Sequence, residues 1–167
     1  MMTRTASLVM SLLASTAMAA TPEQTKTEKP AVYETLTGEP HADIQFTLDS
    51  SRMPVTANAS LASIAEWIRK NPTGLVVLDS HASGQPKPAT ELALRQAETV
   101  RDDLIARGVK PERIVIAAFV EDTKIEPRVS VWTTQIGRDK VFALRSNATA
   151  ILWGPGTLHL PTQTARR

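Results

Sequence analysis

The segment from 75 to 100, LVVLDSHASGQPKPATELALRQAETV, constrains this chain more than any other. It opens on a continuous apolar run, Leu75-Val76-Val77-Leu78, the pattern of a strand covered on both faces. A polar loop over 80–88 follows, broken by Gly84, Pro86 and Pro88. Helix periodicity then takes over, with Ala93, Ala97, Val100 and Leu104 on one face, until Gly108 and Pro111 stop it. A strand that turns sharply into a long amphipathic helix must be matched by a sheet on one side of that helix.

The flanking segments supply the sheet. Ile44, Phe46 and Leu48 alternate with Gln45 and Thr47 as a half-buried strand. Asn58 is a good N-cap for a first helix over 58–70, whose apolar residues Leu61, Ile64, Ala65 and Ile68 share a face and which Asn71-Pro72 ends. Residues 113–119 form an apolar strand, and Val129, Val131 and Thr133 alternate in a last one. The order strand, helix, strand, helix, strand, strand predicts an α+β fold: a β-α-β-α-β-β mixed sheet with two helices on one face. Beyond 135, short apolar pieces over 141–145, 149–153 and 157–160 predict a short C-terminal β extension, set off by Ser146-Asn147 and Gly154-Pro155-Gly156.

The N-terminal part reads differently. Arg4, an apolar run over 6–14 and the small-x-small sequence Ala17-Met18-Ala19 form a signal peptide over 1–19. That run is too short to span a bilayer, which takes about 20 residues. Residues 20–42, rich in Thr, Glu, Lys and Pro, form a linker. The domain plan is therefore 1–19 signal peptide, 20–42 linker, 43–135 folded module and 136–167 extension. Export with no membrane span in the mature chain points to the periplasm, in association with the outer membrane.

Composition narrows the chemistry. With no cysteine there is no disulfide, thiol catalysis or thiolate metal site. A net charge of +2, no basic run and 4% aromatic residues argue against a nucleic-acid partner. Asp79, Ser80 and His81 are consecutive, whereas catalytic triads are assembled from separate elements, so no catalytic residue is assigned and the chain is read as non-enzymatic. Asp79 and His81 are too few to hold a metal, with His41 and His159 far off in sequence, and no cofactor is implied. Trp67, Trp132 and Trp153 are read as packing residues, Trp132 half exposed.

The segments IQF, IAEWIRKNP, LVVLDSHASG, ELALRQAETVRDDLIARGV, RIVIAAF and PRVSVWT, in this order over 43–135, resemble the OmpA-like domain of outer-membrane proteins, peptidoglycan-associated lipoproteins and flagellar stators. The family motif reads Gly-His-Thr-Asp-x-x-Gly, then Asn, then Leu-Ser-x-x-Arg-Ala. The resemblance implies that the Asp and the Arg grip the zwitterionic diaminopimelate side chain of peptidoglycan, a carboxylate for its ammonium and a guanidinium for its carboxylate. Aligned without a gap from Gly84, this chain has Asp79 at the His position, His81 at the Asp, Ala89 at the Asn, Ala93 at the Ser and Gln96 at the Arg. Arg128 keeps its family residue, while Glu126-Pro127 stands where an Asn-Arg pair is common.

Two consequences follow from that alignment. Asp79 and His81 share side-chain parity and are expected to face the old site together. Arg95 is expected to point to solvent and pair with Glu91 four residues before it. Losing one partner of a buried charge pair costs about 2–5 kcal/mol, so peptidoglycan binding is expected to be weak or absent. The resulting reading is a degenerate OmpA-like module serving as a scaffold among envelope proteins, in an assembly such as a secretion or conjugation apparatus. The alternative is a peptidoglycan-binding envelope anchor of the usual kind.

Overall fold

The computed structural model describes residues 39–159. The expected signal peptide, most of the linker and the last eight residues lie outside them. The architecture is one six-stranded mixed sheet with helices on both faces. Strands β1 (Ala42–Gln45), β2 (Leu75–Ser83), β3 (Ile114–Glu121), β4 (Arg128–Thr134), β5 (Ala150–Trp153) and β6 (Thr157–His159) stand in the order β1-β4-β2-β3-β5-β6. Only β2 and β3 run parallel; every other pair is antiparallel.

Helices α1 (Ala57–Lys70) and α2 (Pro86–Ala106) cover the first face. Ala57, Leu61, Ile64 and Ile68 of α1, at spacings of three and four, meet Val76 and Leu78 of β2 and Val129 and Val131 of β4. From α2, Ala97, Val100 and Leu104 enter the same core. Asn58 does not cap α1. The helix begins one residue earlier, and the Asn58 Oδ1 instead accepts from Nη2 of Arg107 at 2.7 Å. The carbonyls at the C-terminus of α1 find their donor in Arg113, whose guanidinium reaches Gly74 O at 2.8 Å, Ile68 O at 3.1 Å and Asn71 O. Helix α2 closes in a Schellman motif: Gly108 N donates to Ile105 O at 2.8 Å and Val109 N to Leu104 O at 3.0 Å, with Leu104 and Val109 in one core. Gly108 holds φ +92, which its missing Cβ permits.

Two boundaries move from the sequence reading. Strand β2 continues through Ser83, because its residues pair with β3 on one side and, as far as His81, with β4 on the other. Helix α2 starts at Pro86, since prolines in a first turn sacrifice donors that have no intrahelical partner.

The larger difference lies beyond Gln135. Within the expected pieces 149–153 and 157–160, β5 and β6 do form a hairpin, but β5 pairs with β3 and so extends the main sheet. The piece over 141–145 is not a strand. Arg138–Leu144 is a helix, α3, that packs on the face opposite α1 and α2. Its Val141, with Ala148 and Ile151, covers Val77, Val115 and Ala117. The alternate residues of two central strands are apolar on this side too, and α3 removes them from water. Arg138 stacks 4.0 Å from the centre of the Trp153 ring, and Trp153 Nε1 donates to Glu112 O at 2.9 Å. Trp132 is half-buried on the same face.

Candidate ligand groove beside the second helix

Strand alternation separates the expected site residues. Val76 and Leu78 point to the α1/α2 side, whereas Val77, Asp79 and His81 point to the α3 side. Gln96, on α2, belongs to the first side. Asp79 and His81 therefore share a face, as their parity requires, but it is not the face that carries Gln96 and Ala89.

Both residues are also engaged. Asp79 lies at the centre of the sheet and accepts two bonds from Arg145, the residue after α3: Nε to Oδ1 at 2.8 Å and Nη2 to Oδ2 at 2.7 Å. The side chains are 7% and 11% exposed, so the pair is shut off from a ligand in solution. Burial raises the carboxyl's pKa above the ordinary aspartate value, and the forked contact with Arg145 opposes that shift only in part. The ring of His81 stacks on Phe119 with centroids 4.9 Å apart, and its Nδ1 meets Glu121 Oε1 at 2.7 Å. Arg128 is the register partner of His81 and belongs to the same second face.

Gln96 is fully buried, and its Nε2 donates to Ser50 O at 2.8 Å. The residue at the family's Arg position thus ties the loop after β1 to α2. Next to this tie lies an open groove of about 380 Å³. Ser83, Gly84 and Gln85 form one end, and Pro88, Ala89, Leu92 and Arg95 of α2 form the wall. Asp49, in the loop held by Gln96, closes the other side. Gly84 turns the chain from β2 into α2 at φ +132, a conformation that side-chain-bearing residues avoid. Positions 88, 92 and 95 follow at spacings of four and three, so the helix presents them as one stripe.

Arg95 is exposed, as expected, but it lines this groove, and the expected Glu91–Arg95 ion pair is not formed. Among the described residues the side chains of Asp49 and Arg95 have no hydrogen bond or ion pair. The groove therefore has an unengaged anion on its loop side and an unengaged cation on its helix side. Ser83 is occupied: its Oγ accepts from Ile125 N at 3.1 Å and donates to Ile125 O at 3.4 Å.

A larger cavity of about 480 Å³ lies between α1 and the C-terminal end of α2. Three of its four cations are engaged already, Arg69 with Glu66, Arg107 with Asp103 and Arg113 with backbone carbonyls, and the fourth is Lys110. Among the described residues no group of three or more His, Asp or Glu side chains is placed to hold a metal ion, and no helix is long and apolar enough to cross a membrane.

The OmpA family model matches residues 45–130, from β1 to β4, more than half of the chain and all of the groove. This chain belongs to the OmpA family. The peptidoglycan-associated lipoprotein of Brucella melitensis is 34% identical over 73 residues, covering 42% of this chain and 44% of that protein. The one from Rhizobium meliloti is 29% identical over 94 residues, covering 54% and 53%. The chain thus spans about half the length of the curated relatives it matches. The crystal structure of the peptidoglycan-associated lipoprotein from Burkholderia pseudomallei superimposes with a TM-score of 0.51 at 16% identity, over 55% of this chain and 89% of that one, a likeness of fold. The OmpA match stops at 130, so α3, β5 and β6 lie outside it.

Reading the sequence missed two residues that matter. Arg145 was out of reach because it meets Asp79 across 66 positions. Asp49 had no motif around it. The stripe of Pro88, Leu92 and Arg95 was available as a signal, since helix spacing alone places the three side by side.

Proposed function

We propose that this OmpA-family domain is a non-enzymatic anchor of the bacterial envelope that binds peptidoglycan in the groove between Gly84, α2 and Asp49. One observation carries the reading: the groove has charges of both signs that the protein leaves unengaged, at the strand-to-helix turn where the family resemblance expects a ligand. Relatives named peptidoglycan-associated lipoproteins support it. They favour it over a scaffold in a secretion or conjugation apparatus, which no relative suggests. The internal pairing of Asp79 and His81 favours the scaffold reading at those two positions, yet both lie on the opposite face from the groove. The signal peptide expected from the sequence supports it too, since export would bring the domain to where peptidoglycan is found.

The test is sedimentation of the full chain with purified sacculi. Retention that soluble muropeptides compete away is the expected result. A chain that stays in the supernatant at every sacculus concentration overturns the anchor, and a stoichiometric envelope protein recovered with it would support the scaffold.

A further inference from the structure

We propose that the cavity between α1 and the C-terminal end of α2 binds a phosphate ester, held by Lys110, Arg107, Arg69 and Arg113. The inference is independent of the peptidoglycan reading. The groove lies at the other end of α2, a helix of 21 residues and so about 30 Å long.

Charge is the first argument. Four cations and one carboxylate, Glu66, line a space of about 480 Å³, which leaves three positive charges in excess. Part of that excess serves the fold. The C-termini of α1 and α2 both end at the cavity, and each carries about half a negative charge that a nearby cation offsets. Two helix ends account for about one cation, not three. Immediately outside, Lys70 shares Glu66 with Arg69 and Asp103 pairs with Arg107, so the surroundings add one charge of each sign. Glu112 is near Lys110 in sequence but does not line the cavity.

Free donors are the second argument. Lys110 is exposed, and among the described residues its side chain has no hydrogen bond or ion pair. A guanidinium has five N–H donors, and none of the three here uses them all. Arg113 gives one bond from each nitrogen, all to backbone carbonyls and none to a carboxylate, so a hydrogen remains on Nη1 and on Nη2. Arg107 uses Nε and Nη2 on Asp103 and Asn58, and Arg69 uses the same two atoms on Glu66. Both keep Nη1 to offer.

This donor set selects among anions. A carboxylate has two oxygens in one plane, and a single forked guanidinium satisfies it. A phosphate ester presents three strong acceptor oxygens and up to two negative charges. It takes donors from several directions, which side chains from α1, from the end of α2 and from the turn after it supply. The cavity also exceeds a bare ion in size. Ala62, Ala65 and Ile68 of α1 form an apolar wall for the carbon side of the ester.

The experiment is flotation of the full chain with vesicles of equal parts phosphatidylcholine and phosphatidic acid, beside calorimetric titration with glycerol phosphate. Both probes are expected to bind, and vesicles of phosphatidylcholine alone are not. Glycerol phosphate is expected to release the chain from the vesicles where succinate, a dianion without phosphorus, does not. Lys110→Gln is expected to weaken glycerol phosphate about 3- to 10-fold, and Arg69→Gln to act in the same direction. Both side chains are exposed, so these variants retain the fold; Arg113 is left intact because it caps α1. Lys124→Gln, an equal charge change between β3 and β4, is expected to match the parent. Glycerol phosphate binding without vesicle retention supports the site and assigns it a soluble phosphate ester; retention that glycerol phosphate relieves assigns it a lipid headgroup. The proposal is overturned if succinate competes equally, if glycerol phosphate does not relieve retention, or if Lys124→Gln weakens binding as much as Lys110→Gln. It is overturned too if neither probe binds, and sacculus sedimentation of the same chain then reports on the anchor separately.

Discussion

Asp79 illustrates how a residue's role depends on which face of a strand it occupies. In sequence it is a carboxylate next to a candidate ligand loop. In the fold it is one half of a buried ion pair whose partner, Arg145, comes from outside the family module. Burial outweighs the attraction of Arg145 and raises the carboxyl's pKa, so the pair is not a source of stability at neutral pH. Removing one member is nonetheless costly, because the other stays behind uncompensated. Asp79→Ala is expected to lose about 3–5 kcal/mol in denaturant unfolding, while replacing both residues by leucine is expected to be near neutral. The pH trend follows from the sign of the shift. The folded carboxyl holds its proton more tightly than the unfolded one, so its contribution is fully present below the ordinary aspartate pKa of about 3.9 and is lost as pH rises through the raised folded value. Unfolding free energies measured from pH 3 to pH 8 should show this loss in the parent relative to Asp79→Asn; parallel curves would contradict it. None of this was visible from Asp79 and its neighbours.

The elements were legible in proportion to their length. Helices α1 and α2 span 14 and 21 residues and repeat their apolar face several times, so periodicity found both. Helix α3 has seven residues and buries only Val141 fully, too little to distinguish it from a short strand. The start of α2 was placed late because proline reads as a breaker unless the first turn is already known. Its end was placed well because Gly108 is a strong stop signal, and the structure gives that signal a measurable cost. No atom other than its chain neighbours comes within 4 Å of a Cβ built on Gly108, so Gly108→Ala meets no clash and only the left-handed backbone opposes it. The expected loss is about 1–2 kcal/mol, read from the unfolding midpoint. A loss well beyond that would mean the Schellman bonds do more than close the helix.

At the scale of the whole molecule, the family match describes four strands and two helices, and the folded unit is larger. Strand β5 lies along β3, and α3 seals a second core over Val77, Val115 and Ala117. A chain ending at 135 would expose that apolar face and leave Asp79 without Arg145. It is expected to unfold at lower denaturant than the full chain and to bind a hydrophobic dye; equal midpoints would show that the second face is dispensable. The groove lies on the other side of the sheet, so sacculus binding by whatever fraction folds should survive. The sequence reading recognised the module and its order but treated 136–167 as an appendage, because a pairing between β3 and β5 depends on which sheet edge is vacant, and no local pattern encodes that.

The Asp79–Arg145 contact also orders events in time. The two residues are 66 positions apart, with all of α2, β3 and β4 between them. A chain emerging N-terminus first, from a ribosome or through an export channel, delivers the carboxylate long before the guanidinium that neutralises it. Until Arg145 arrives, the nascent sheet has one sealed side and one wet side with a charge at its centre. Only when Arg145 has followed can the pair close and α3 settle over the second face.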